Sequence, residues 1–123
     1  MKDYEGTVFH IIHCEGAIDS FYEALKRVQK HKQESLKAQM LSLIERLGNG
    51  HKLSGDSFPT EGDLPKGGSF RAIKKLPVRA YVWRSKKHSN TYYISHYIYK
   101  DYPKLKPKDC EKVCNNWRLI EEN

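Results

Sequence analysis

The sequence predicts an α+β fold, an antiparallel sheet backed by an N-terminal helical hairpin in the order β-α-α-β-β-β-α. Three observations carry this. Apolar residues recur at three- and four-residue intervals in two neighbouring N-terminal segments and again near the C-terminus; three β-branched and aromatic runs lie between; and Gly- and Pro-rich punctuation separates the helical from the strand-like half. At 123 residues, the chain is one domain spanning 1–123.

Residues 7–13, Thr-Val-Phe-His-Ile-Ile-His, are β-branched and apolar enough for a buried first strand, which Glu15-Gly16 breaks. Asp19 or Ser20 then caps a helix with Ile18, Phe21, Leu25 and Val28 on one face. After a polar interval, Gln29 to Ser35, a second stripe of Leu36, Met40, Leu43, Ile44 and Leu47 stops at Gly48-Asn49-Gly50. Two antiparallel helices are the first reading and one bent helix the other, because neither Gly nor Pro separates them. Residues 48–68 read as a flexible connecting loop. Ser69–Lys74, Val78–Ser85 and Thr91–Lys100 follow as strands, the last two forming a hairpin. Pro107 opens a closing amphipathic helix through Cys110, Val113, Cys114, Trp117 and Ile120.

Composition narrows the function classes. Hydrophobic residues make up 38% and mean hydropathy is −0.77. No apolar run approaches the roughly 20 residues of a membrane span, and the N-terminus lacks signal-peptide shape, so a cytoplasmic location without membrane contact is expected. Cys14, Cys110 and Cys114 cannot all pair within the chain, which agrees with a reducing compartment, and no recognised ligand spacing predicts a metal. Walker, dinucleotide-glycine, zinc-finger and RNA-recognition-motif patterns are missing, and no cofactor is expected.

Charge is uneven. Residues 66–106 hold eleven Lys or Arg against Asp101 alone, while the rest carries eleven bases against fourteen acids, so the net +7 resolves into +10 here and −3 elsewhere. Eight of the fourteen aromatics share the stretch. Cations interleaved with flat rings suit phosphate neutralisation plus base stacking, so RNA is the first partner to consider. Strand alternation sorts these residues. Val78, Ala80 and Val82 face one way and Arg79, Tyr81 and Trp83 the other; Ile94, His96 and Ile98 share one face and Tyr93, Ser95, Tyr97 and Tyr99 the opposite one. An aliphatic face for the helices and an uncovered Arg-Tyr-Trp face are expected. His96, between two isoleucines, reads more readily as a core histidine than as a catalytic one.

The element order, with Phe70-Arg71-Ala72-Ile73, Val78-Arg79-Ala80-Tyr81, Ile94-Ser95-His96-Tyr97-Ile98-Tyr99-Lys100 and Lys104…Pro107, resembles the RelE/ParE/HigB superfamily of toxins from bacterial toxin–antitoxin modules, as a HigB-like or phage-borne relative. The resemblance spans residues 17–120 and implies a RelE-like fold. It implies metal-independent cleavage of messenger RNA, often on the ribosome, by attack of a ribose 2′-hydroxyl on its own phosphate. The implied catalytic residues are Arg79, Arg71, Lys100 and Tyr102, with Arg79 stabilising phosphate. The RNA-binding set adds Lys104, Tyr81, Trp83, Tyr97 and Tyr99; Lys74 and Lys75, at the strand end, have even odds of touching RNA. The partners would be RNA and a cognate antitoxin, a small helix-turn-helix protein. ParE-type members share the architecture yet inhibit gyrase, so a non-catalytic binder of gyrase, of RNA or of the antitoxin alone is the other reading.

Overall fold

In the computed structural model, which describes residues 1–123, six strands form one mixed sheet in the order β1-β2-β6-β5-β4-β3. The strands are β1 (Tyr4–Glu5), β2 (His10–His13), β3 (Thr60–Asp63), β4 (Ser69–Lys75), β5 (Val78–Arg84) and β6 (Thr91–Tyr99); the helices are α1 (Ala17–Leu25), α2 (Lys30–Gly48) and α3 (Pro107–Glu121). The α+β class and the expected β4-β5-β6 meander are present. The sheet is mixed because β2 runs parallel to β6. A parallel pair needs a long crossover, and everything from α1 to β5 supplies it.

Local chemistry explains three departures from the expected boundaries. Gly16, in a left-handed conformation at φ 81°, precedes α1 in place of an Asp19 or Ser20 cap; the Ser20 hydroxyl donates back to the Ala17 carbonyl instead. Gln29 is extended (φ −53°, ψ 133°), which separates two helices and excludes a single bent one. The polar segment after it is already helical, because α2 begins at Lys30 with its exposed side in water. The segment 48–68 is not all loop. Its residues Thr60–Asp63 pair with β4 as the outer strand of the sheet.

Gly48 ends α2 at a close approach. Its carbonyl accepts from both Val8 and Phe9 N–H, and a Cβ there would lie 2.7 Å from the Tyr4 ring.

Both faces of the sheet are covered, which overturns the expectation of an open aromatic face. On one side α1 and α2 bury Phe21, Leu36, Met40 and Ile44 against Ile73, Val78, Ala80, Val82 and Ile94. On the other, Val113 and Trp117 of α3 pack on Phe70, Tyr81, Trp83 and Tyr93. The aromatic face receives α3: large rings bury 150–250 Å² each and fill the space under one helix.

Strand parity also fails halfway along β6. Tyr81 is opposite His96 but Val82 is opposite Ile94, so Ser95 is an extra residue, a β-bulge. The bulge reverses the alternation. Ile94, Tyr97 and Tyr99 therefore join the helical-hairpin face, while Tyr93, His96 and Ile98 lie with Trp83, Tyr81 and Arg79.

Candidate nucleic-acid interface

At one end of the α3-covered face, Arg79 on β5 lies opposite Lys74 on β4 and Ile98 on β6. Its guanidinium pairs with Glu61 of β3, and both side chains are mostly buried, 15% and 11% exposed. Glu61 reaches it through a second bulge: Thr60 pairs with Arg71 and Gly62 with Phe70, leaving Glu61 between them as the extra residue whose side chain is re-aimed. Lys100 comes directly after β6, tied down by its N–H to the Pro77 carbonyl (2.8 Å). Burial, and then the neighbouring Arg79, lower the pKa of its ammonium.

Behind this pair runs a chain of hydrogen bonds. Asn116 Nδ2 donates to Ser95 Oγ (2.9 Å), Ser95 Oγ is 2.8 Å from His96 Nδ1, His96 Nε2 is 3.1 Å from Asp109 Oδ1, and Tyr102 Oη donates to Asp109 Oδ2 (2.9 Å). One tautomer satisfies every member, with Ser95 donating to Nδ1 and Nε2–H donating to an ionised Asp109. Asp109 is the third residue of α3, where the helix N-terminus favours a carboxylate. The Ser-His-Asp succession is not a nucleophilic triad. Ser95 is fully buried and has no route to a substrate.

Burial lowers the pKa of His96, only partly offset by the bond to Asp109, and lowers that of His13, which lies between Asp3 and the Tyr97 hydroxyl. Folded values below the usual 6.5 mean that the unfolded chain binds these protons more tightly, so stability falls as pH drops through 6.5. The melting temperature should decrease between about pH 7 and pH 5, and His96→Gln should flatten that slope; an unchanged slope in the variant would remove His96 from the effect. Burial and the bond to Asp109 push the Tyr102 phenol up to about 12, so it stays protonated at neutral pH.

Two buried donors, Arg79 Nε and Tyr81 Oη, have no hydrogen-bond partner among the protein groups. Both belong to this cluster: the Tyr81 phenol feels the charges of Asp109, Glu61 and Arg79. An unpaired buried donor costs about 1–3 kcal/mol, a cost that a water, an ion or a ligand oxygen at the site removes.

No family model, curated protein or solved structure matches this chain.

The expected site residues divide by face. Arg79, Lys100, Tyr102 and Lys74 come together, with Lys104 exposed in the connection between β6 and α3. Lys106 lies over the Tyr102 ring at 3.9 Å and Lys100 at 6.0 Å. Arg71 is elsewhere: paired with Val82, it projects to the hairpin side, donates to the Phe58 carbonyl (3.0 Å) and stacks on the Phe58 ring. Lys75, opposite Val78, is also off this face. Tyr81, Trp83 and Tyr97 are 0%, 1% and 2% exposed and present no free ring to a base. Tyr99 is half-buried under Arg27 (4.3 Å) and lines, with Tyr102 and Asp109, an open cleft of about 510 Å³ beside the cluster.

Sequence reasoning missed Glu61 and Asp109. Glu61 lay in a segment without strand periodicity, and its aim depends on a bulge; for Asp109 the one available signal was an acid in the first turn after Pro107. No three His, Cys, Asp or Glu side chains converge as a metal site. Burial pushes the Cys14 thiol up to about 12, leaving it unreactive.

Proposed function

We propose that this chain is a toxin-like RNA-binding protein that cleaves messenger RNA without a metal ion, in the manner its RelE-like resemblance implies, with a small helix-turn-helix antitoxin as its regulator and the cytoplasm as its place of action. The observation that carries the reading is the pair of unpartnered donors, Arg79 Nε and Tyr81 Oη, amid unpaired Lys74 and Lys100. A phosphate oxygen at the partly exposed Arg79 guanidinium would take up the bonds that arginine leaves free.

In this reading Glu61 takes the proton of the 2′-hydroxyl as O2′ bonds to phosphorus, and Arg79 and Lys100 hold the charge that develops on the phosphoryl oxygens. The bond from phosphorus to O5′ breaks, and Tyr102 protonates that leaving oxygen. The products are a 2′,3′-cyclic phosphate and a 5′-hydroxyl end, and the proton on Glu61 restores the tyrosine through solvent. At rest the Tyr102 O–H donates to Asp109, itself held by His96, and it turns from Asp109 to reach the leaving oxygen.

The second reading is a RelE/ParE-like binder that does not cut, acting on gyrase, RNA or an antitoxin alone. The Arg79–Glu61 pair favours it, because that contact must open before a phosphate can enter. Expression of wild type and Arg79→Ala in cells, followed by mapping of transcript 5′ ends, separates the two. Cleavage predicts growth arrest with new 5′-hydroxyl ends for the wild type and neither for the variant; arrest with intact transcripts would reject it in favour of the binder.

A further inference from the structure

On the opposite face of the sheet, the segment 51–58 and strands β4 to β6 enclose a second aromatic and basic groove. Tyr92 lies between Phe9 (5.0 Å between ring centres, 74°) and Phe58 (6.3 Å, 71°). Arg84 stands over Phe9 at 4.9 Å and Arg71 over Phe58 at 5.1 Å. Two neighbouring depressions, about 310 and 200 Å³, share Phe58, Arg71 and Tyr92 as lining, the larger also lined by Lys52. No carboxylate lines either depression, whereas Glu or Asp lines each of the other three main clefts. Neither Arg71 nor Arg84 ion-pairs with an acid.

We infer that this groove binds single-stranded RNA as a separate anchor, with a base packed on Tyr92 and the flanking phosphates on Arg84, Arg71 and Lys52. Rings supply a stacking surface for any base, and uncompensated guanidiniums neutralise the backbone. The aromatics are half-buried and mutually braced edge to face, so they are held before a ligand arrives. An acidic peptide shares the charge but gains less from the Tyr92 ring, the one of the three with no guanidinium over it, which makes RNA the better fit. Arg71 and Arg84 share the face of Ile73 and Val82, not that of Arg79. The groove therefore binds independently of any cutting reaction, although its RNA partner is shared with the proposed function.

Fluorescence anisotropy with a labelled oligouridylate, about ten nucleotides long at a site size typical of small single-strand binders, tests the assignment. Arg84 is exposed, so Arg84→Glu should fold normally and weaken binding about tenfold or more. Tyr92→Leu should weaken it about five- to a hundredfold, the loss of one stack. Arg118→Glu, the same charge reversal at an exposed position of α3, should keep the wild-type affinity whether or not the protein cuts, whereas wild-type affinity in both groove variants, or an equal loss in Arg118→Glu, would overturn the assignment. So would a wild-type protein that ignores the oligonucleotide but binds a synthetic Glu-Leu peptide, or one that binds neither probe.

Discussion

For the proposed reaction, Glu61→Gln should lower the rate of RNA cleavage about 10²–10⁴-fold, the range for removing a positioned base, with RNA affinity held within a few-fold. Glutamine keeps the size and the contact with Arg79 but cannot take the 2′-hydroxyl proton. Arg79→Lys should cost about 10²-fold or more, because an ammonium lacks the planar fork that holds two phosphoryl oxygens at once. These conservative variants are preferable to Arg79→Ala for kinetics in vitro. With Arg79 15% and Glu61 11% exposed, truncating one leaves a buried charge unpaired, at a cost of about 3–5 kcal/mol. Cleavage of a defined transcript, read at single-nucleotide resolution under single-turnover conditions, gives the rates. Wild-type cutting by Glu61→Gln would remove Glu61 from the chemistry, and an unchanged Arg79→Lys would do the same for the guanidinium.

Trp83→Ala destabilises the protein by about 3–5 kcal/mol, a large share of the roughly 5–15 kcal/mol that holds a domain together. Trp83 is 1% exposed, stacks on Tyr93 at 5.5 Å and points its Nε1–H at Glu121 Oε2 (3.3 Å). That carboxylate also accepts from the Ser85 hydroxyl and from the Lys86 and Lys87 N–H groups, so one glutamate fastens the end of α3 to the β5–β6 turn. Urea unfolding followed by far-ultraviolet circular dichroism measures the loss. An exposed stacking tryptophan would behave differently, changing the stability by less than about 0.5 kcal/mol while reducing RNA affinity; that outcome would contradict the burial under α3.

Those two substitutions mark where the sequence was informative. Arg79 was legible because a strand arginine beside aromatic residues, in a stretch with a single acid, is a strong compositional signal. Its partner was not. Glu61 lies 18 residues away, and only the bulge in β3 turns it toward the guanidinium. Tyr81, Trp83 and Tyr97 carried the same aromatic signal as Tyr99 and Tyr102, yet burial separates the two groups. Amphipathicity on α3 showed that the helix needed an apolar surface, but not that the aromatic sheet face would provide it.

The sequence by itself determined the α+β class, the β5–β6 hairpin and the closing helix after Pro107, and left two N-terminal helices open against one bent helix, because periodicity, β-branching and Gly and Pro punctuation act over a few residues. It also determined that positive charge would gather on the strand half. Tertiary structure alone decided which side of the sheet the β6 rings and Glu61 occupy. An extra residue at Ser95 and another at Glu61 cost little locally, yet each reverses or re-aims the side chains beyond it, since they alternate with a period of two. One basic stretch becomes two surfaces, Arg79 with Lys100 on one face and Arg71 with Arg84 on the other, and for the arginines the plain alternation of β4 and β5 in their regular register makes the division.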